Sequence, residues 1–193
     1  MREAIGIDYD GTIPDTNKMR ALWIRKNLGI NVDPWNTDET TLLKTIGKEA
    51  HKRMDAVVYE RKWTLKTPPV DGAVSAIKEL AKKYAPYIVT MRRPSRVESA
   101  KETLLQYGVL KYFFCIISTR PADGIKKTKE DVCRENNIGT LIDDDIMHLI
   151  DVKSDMRKIL LKNGCDDRYA EQFQHNDGIE LARSWDEILK KLF

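Results

Sequence analysis

Short apolar segments rich in β-branched and aromatic residues recur along this chain, at Ala4–Ile7, Tyr87–Val89, Tyr112–Ile117, Thr140–Ile142 and Lys158–Leu161. Most of the stretches between them carry a helical period. Val74, Ile77, Leu80 and Ala81 share one face of Asp71–Tyr84, and Val97, Ala100, Leu104 and Leu105 share one face of Ser95–Tyr107. In Thr128–Asn137 the face is Val132 and Cys133. Apolar strands alternating with amphipathic helices bury themselves as a parallel sheet covered on both sides. The expected fold is therefore α/β, a Rossmann-like parallel sheet core flanked by helices.

One interval breaks the alternation. From Asn17 to Trp63 the chain reads helical, with faces Met19, Leu22, Trp23 and Lys26, then Leu42, Leu43 and Ile46, then Met54, Val57, Val58 and Arg61. Gly29 and Gly47 are the expected stops. A block of this size is too long for one βαβ crossover and reads as an inserted small helical subdomain. Thr67-Pro68-Pro69 is its natural exit, because a proline pair cannot continue a helix. The expected organisation is a core of residues 1–13 and 69–193 with residues 14–68 inserted after the first strand. Ser184-Trp185-Asp186-Glu187 has the form of a capping box opening a closing helix, Ser184 to Phe193.

Composition narrows the class. Lys+Arg 33 against Asp+Glu 30 gives a formal charge of +3, spread along the sequence, so a dedicated binder of nucleic-acid polymers is not expected. The strongest apolar run, Tyr112–Ile117, is about a third of a membrane span, and no signal-peptide core follows Met1-Arg2-Glu3. Cys115, Cys133 and Cys165 are widely spaced, without a CxxC, and read as reduced thiols. A cytoplasmic protein with no membrane partner is the expectation.

Parallel sheets place ligands at the carboxyl ends of their strands. There the sequence sets Asp8-Tyr9-Asp10-Gly11-Thr12 after the first strand, Thr90-Met91-Arg92-Arg93-Pro94 after the second, and Ser118-Thr119-Arg120 after the third. The lysines Lys126, Lys127 and Lys129 follow, and Asp143-Asp144-Asp145 ends the fourth strand. Acidic residues pointed at one place repel unless a cation joins them, and hard oxygen ligands suit Mg2+. A carboxylate at a strand end can attack phosphorus, which favours Asp8 as nucleophile. Asp10, two residues on, can protonate the leaving oxygen and then deprotonate water. The Thr90 hydroxyl, N–H groups near Gly11 and a lysine would bind the charged phosphoryl oxygens.

In its order of motifs the chain resembles the haloacid dehalogenase (HAD) superfamily of phosphohydrolases, in particular members with a small helical, C1-type cap. The resemblance rests on Asp8-x-Asp10-Gly11-Thr12, a strand ending in Thr90, a downstream lysine and Asp143-Asp144. Gly11-Thr12-Ile13-Pro14-Asp15-Thr16 also looks like the opening of capped members. It implies a phosphoric monoester hydrolase that forms an aspartyl-phosphate on Asp8. Asp8, the Asp10 main-chain carbonyl, and Asp143 or Asp144 would hold Mg2+. Gly11, Thr12, Thr90, Met91, Arg92 and the lysine would face the substrate, with Lys129 the foremost candidate and Lys127 and Lys126 behind it. The presence of Asp10 favours phosphate esters, since dehalogenating members lack an acid there. Val89-Thr90-x-Arg92-x-Pro94 and Ile142-Asp143-Asp144-Asp145 look more like small nucleotidase-type members, which implies a nucleoside monophosphate or a similar small phosphate monoester. The same intermediate would serve a phosphotransferase or mutase, and a chain that had lost turnover would remain a phosphate-binding regulator.

Several residues have simpler readings. Asp15 and Asp145 fit helix N-caps. His51, His148 and His175 stand alone and read as ordinary surface or core residues. Trp23, Trp35 and Trp63 read as packing residues of the insertion, one of which could instead stack a substrate base. Arg92, Arg93 and Arg120 border the expected site, where each would bind a second anionic group of the substrate or simply solvate a loop.

Overall fold

The computed structural model describes residues 2–120, 124–152, 155–173 and 178–193. Among these, six strands form one parallel sheet in the order β3-β2-β1-β4-β5-β6. They are β1 (Glu3–Ile7), β2 (Tyr84–Thr90), β3 (Ile116–Ser118), β4 (Ile138–Asp143), β5 (Arg157–Leu161) and β6 (Ile179–Ala182). The helices, in chain order, are α1 (Thr16–Leu28), α2 (Glu39–Val58), α3 (Arg61–Thr64), α4 (Ala73–Lys83), α5 (Pro94–Gln106), α6 (Lys129–Glu135), α7 (Ile146–Ile150), α8 (Asp167–Phe173) and α9 (Trp185–Leu192).

Alternation along each strand divides the core into two layers. Ile5, Ile7, Ile88, Ile142, Ile159 and Leu161 point to one face and pack with Ile77 and Leu80 of α4, Leu104 of α5, and Trp185 and Ile188 of α9. Their neighbours Val89, Leu141 and Leu160 point to the other, with Val132 and Cys133 of α6 and Leu149 of α7. Both faces are covered, which is why the strands read as nearly continuous apolar runs.

Between β1 and β2 the chain folds into α1, α2 and α3 around a separate cluster of Met19, Ile24, Leu42, Met54 and Val58. Gly29 ends α1 at φ 70°, and Gly47 bends α2 at φ 75° without ending it. The two linkers to this helical block run side by side. Pro14 pairs with Pro69, Asp15 N–H donates to the Pro68 carbonyl at 2.8 Å, and Val70 N–H donates to the Ile13 carbonyl at 2.8 Å.

Some expected details differ. Leu22 (46% exposed), Leu43 (39%) and Leu105 (68%) lie outside the apolar faces assigned to them, while Ile24, Ser99 and Thr103 take buried positions. Of Tyr112–Ile117 only the end is strand, because Leu110–Tyr112 forms a 3₁₀ turn. No helix of the described residues is long and apolar enough to cross a membrane.

Candidate active site

The strand order reverses between β1 and β4, so the crevice beyond their carboxyl ends is the place where this topology can hold a ligand. Asp8 leaves β1 there, with its N–H donating to the Ile142 carbonyl at 2.8 Å. Asp143 is the last residue of β4, and Asp144 follows it. Asp8, Asp143 and Asp144 are buried, and each offers a carboxylate oxygen within 4.8 Å of the others.

One cation is shared between two of them. Lys129, at the start of α6, donates from Nζ to Asp8 Oδ1 and to Asp143 Oδ2, each at 2.5 Å. Asp143 Oδ1 accepts from the Asp145 N–H at 3.0 Å and faces His148 Nδ1 at 3.1 Å. Asp144 Oδ2 accepts from Asn17 Nδ2 at 2.7 Å, tying α1 to the end of β4. Burial would raise Asp143, but Lys129 and His148 outweigh it and hold it well below the usual carboxylate range. Asp8 goes the other way, pushed up to about 8 by burial and by the neighbouring Asp143 and Asp144 against the opposing pull of Lys129. Asp144 is pushed up to about 6 by burial and by Asp143. A single ammonium does not neutralise three buried carboxylates. The all-oxygen donor set short of positive charge fits a divalent cation such as Mg2+.

Asp10 stands apart from this trio. The Arg92 guanidinium grips it as a fork, Nε to Oδ2 and Nη2 to Oδ1, each at 2.8 Å, and Thr16 Oγ1 donates to Oδ1 at 2.9 Å. Burial would raise Asp10, but the charge and hydrogen bonds of Arg92 outweigh it and lower it. The Arg92 guanidinium lies over the Tyr9 ring, 4.7 Å from its centroid, and its Nη1 donates to Thr64 Oγ1 at 3.1 Å. Thr90 Oγ1, at the end of β2, accepts from the Arg92 N–H at 3.1 Å.

A cavity of about 430 Å³ opens on Asp8, Asp10, Thr90, Met91, Arg92 and Asp144. The helical insertion supplies Arg20, His51, Asp55 and Tyr59 to its wall. Arg20 donates to the Tyr59 hydroxyl, to Asn17 Oδ1 at 3.1 Å and to the Thr37 carbonyl at 3.1 Å. The volume lies within the range of small-molecule sites.

The expected site residues therefore divide. Asp8, Asp10, Thr90, Met91, Arg92, Lys129, Asp143 and Asp144 come together. Gly11 stands behind Asp144, and its N–H, expected to face phosphate, donates to the Pro14 carbonyl at 3.0 Å. Thr12 is fully buried away from the cavity, and its carbonyl accepts from Trp185 Nε1 at 2.9 Å. Lys127 pairs with Glu135 at 2.7 Å and, with Lys126, borders a smaller cavity of about 110 Å³. Asp15 and Asp145 cap α1 and α7, as their positions suggested. Trp23 and Trp63 pack in the insertion, and Trp35 packs against Tyr169 at 5.1 Å.

Other residues were misread or passed over. His148 is not an isolated histidine but faces Asp143, and His51 lines the cavity; His175 lies outside the described residues. Arg20, Tyr59 and Lys162 gave no motif signal. Lys162 directly follows β5, is buried, and lies 4.0 Å from Asp38. Its position after an apolar strand at the same sheet edge was the available clue.

This backbone is similar in fold to those of several haloacid dehalogenase-like hydrolases. No protein-family model matches the sequence, and no curated protein matches it. Among solved structures, a haloacid dehalogenase-like hydrolase from Streptococcus pneumoniae aligns with a TM-score of 0.66 at 16% identity, over 100% of this chain and 99% of that one. An L-2-haloacid dehalogenase from Xanthobacter autotrophicus, with chloropropionic acid covalently bound, aligns with a TM-score of 0.58 at 12% identity, over 100% and 98%. A HAD-hydrolase from Bacillus subtilis bound to magnesium aligns with a TM-score of 0.57 at 15% identity, over 99% and 98%. These likenesses are of fold. The fold is shared by a dehalogenase, so the chemistry has to be argued from the side chains.

Proposed function

We propose that this chain is a Mg2+-dependent phosphatase that hydrolyses a small phosphate monoester through an aspartyl-phosphate on Asp8. The observation that carries the reading is the buried cluster of Asp8, Asp143, Asp144 and Lys129 opening, beside Asp10, on a small-molecule cavity. Asp8, Asp143, Asp144 and the Asp10 main-chain carbonyl would hold the cation. When bound, Mg2+ would supply charge to the phosphoryl oxygens and keep Asp8 ionised.

The chain's own residues would then divide the work. Asp8 attacks phosphorus as the ester oxygen leaves. Lys129, already on Asp8, and the Thr90 hydroxyl bind the non-bridging oxygens. Asp10 protonates the leaving oxygen and afterwards takes a proton from the water that opens the acyl phosphate. Arg92 and Thr16 hold Asp10 in its ionised form, which is the form the second step requires. The first step requires Asp10 to leave the Arg92 fork and carry a proton. An acid at this position favours phosphate-ester chemistry over that of the dehalogenase with the same fold. The helices of residues 14–68 act as a cap that excludes water and sets specificity.

A nucleoside monophosphate fits the cavity's size. The ring on the wall is Tyr59, which Arg20, Arg92 and Arg96 already approach at 5.6, 5.4 and 5.5 Å from the ring centroid. A cytoplasmic setting suits the three free cysteines.

Phosphate release from a panel of nucleotides, sugar phosphates and phosphorylated acids, with and without EDTA, tests the reading. The expected result is turnover that chelation removes and Mg2+ restores. Asp8→Asn is expected to lose activity by a factor on the order of 10³ or more while remaining folded by circular dichroism. Retained turnover in that variant would overturn the nucleophile assignment.

A further inference from the structure

Three arginines on the cavity wall have no part in the mechanism above. Arg93 and Arg96 lie at the start of α5, Arg120 follows β3, and all three line its wall. Hydrogen bonds hold these two loops together. Ser118 Oγ donates to the Arg92 carbonyl at 2.7 Å and accepts from the Arg120 N–H at 3.0 Å, while Thr119 N–H donates to the Thr90 carbonyl at 2.9 Å. The arginines are thus fixed beside Thr90 by the ends of two neighbouring strands.

Among the described residues none of the three forms an ion pair, although the charge of Arg96 reaches Asp55. Among the described residues, the arginines in ion pairs are Arg61, Arg92, Arg134, Arg157 and Arg183. Arg120 Nε is buried without a hydrogen-bond partner among the described residues, and Arg96 is half-buried, its guanidinium over the Tyr59 ring. Arg92, on the same wall, is already satisfied by Asp10. Of the acids on the same wall, Asp55 feels the charge of Arg96, and its Oδ1 is buried without a hydrogen-bond partner among the described residues. Asp145 caps α7, Asp55 faces His51 at 3.7 Å, and Glu39 stands in the first turn of α2. Buried donors are nearly always partnered, and an orphan guanidinium nitrogen on a cavity wall marks the place of an acceptor that the protein itself does not supply.

We infer that the substrate carries a second anionic group, a carboxylate or a further phosphate, and that Arg96 and Arg120 bind it while Asp8 and Lys129 engage the reacting phosphoryl group. The inference rests on the phosphatase reading above and narrows the class of ester to one with a second anion, in preference to a nucleoside monophosphate, which has none. Guanidinium forks suit both kinds of anion and hold either in two hydrogen bonds. Arg93, exposed on the same loop, adds attraction from a distance.

Three phosphate esters on one scaffold test it: propyl phosphate, 3-(phosphonooxy)propanoate and propane-1,3-diyl bisphosphate, assayed with Mg2+. Expected is a kcat/KM at least about tenfold higher for an ester with a second anionic group, the carboxylate and bisphosphate arms telling which anion is preferred. Arg96→Gln and Arg120→Gln are each expected to lower that preference several-fold. Lys101→Gln, an exposed position on the same helix, keeps it. Equal kcat/KM for the three esters overturns the inference and leaves the phosphatase reading standing. So do arginine variants that slow all three esters alike, because they would then serve the reacting phosphate. If none is cleaved, calorimetric titration with propylphosphonate and 3-phosphonopropanoate decides the inference separately, and the phosphatase reading fails only if the wider panel above is silent as well. Tighter binding of the latter supports a second anion site, and equal binding overturns it.

Discussion

A Cβ built on Gly11 would lie 2.2 Å from Asp144 Oδ2 and 2.5 Å from Asn17 Nδ2, and the backbone there has φ +79°. Both facts exclude a side chain. Left-handed backbone costs a non-glycine residue roughly 1–2 kcal/mol, and the collision would push Asp144 off Asn17. Gly11→Ala is therefore expected to lower the melting temperature by several degrees and to raise the Mg2+ concentration needed for half-maximal turnover. An unchanged Mg2+ titration would show that Asp144 does not need this packing. Residues of this kind were legible in the sequence when a strand end and a turn announced them together, as with Asp8, Asp10, Gly11, Thr90 and Asp143. Lys129 was singled out from Lys126 and Lys127 by the family resemblance, not by its own local pattern. Asn17, Arg20, Tyr59 and His148 were not legible. Their roles come from contacts made only after folding; Asn17 meets Asp144 across 127 positions.

At the scale of elements, the closing helix and the loop bearing Asp8 and Asp10 are joined by one buried hydrogen bond. Ser184 caps α9, its side chain accepting from the Glu187 N–H, and this sets Trp185 where its Nε1 donates to the Thr12 carbonyl at 2.9 Å. Trp185→Phe keeps an aromatic ring in the core but strands that carbonyl. The expected cost is about 1–3 kcal/mol, with kcat falling more than KM rises as the loop loosens. Ser184→Ala is expected to cost about 1 kcal/mol through loss of the cap, with kcat nearly unchanged. Chemical denaturation with steady-state kinetics separates the two variants. Equal kinetic effects would mean that α9 supports the loop only by bulk packing. The α9 cap was visible in the sequence because capping is local. β6 was not read as a strand, because its four residues at a sheet edge, three of them half-buried and Glu180 among these, carry no apolar run. β3 was misplaced for the opposite reason. Tyr112 and Phe113 are apolar because they pack against the core from a turn, not because they are strand.

For the molecule as a whole, the consequence of burying three carboxylates around one lysine is a stability that depends on pH and on metal together. Asp8, raised to about 8, and Asp144, raised to about 6, hold protons more tightly in the folded chain than an unfolded aspartate, whose ordinary value is 3.8. His148 acts in the same sense; burial would lower it, but Asp143 outweighs this and raises it above the ordinary histidine value. Between about pH 4 and 8 the metal-free folded state thus binds more protons than the unfolded state, and stability falls as pH rises through that window. Asp10 and Asp143 are lowered, so they contribute stability that is lost only as pH falls below the ordinary carboxylate range. They do not oppose the trend at neutral pH. A divalent cation takes over the work of those protons. The melting temperature of EDTA-treated protein is expected to decline from pH 5 to pH 8, and saturating Mg2+ to flatten that decline. Stabilisation by Mg2+ is then greatest at the alkaline end, about 2.7 kcal/mol at a hundredfold excess over the dissociation constant. Parallel pH profiles with and without Mg2+ would mean that the ion does not bind among Asp8, Asp143 and Asp144. A profile that flattens in wild type but not in Asp144→Asn would place the ion at this cluster independently of any turnover.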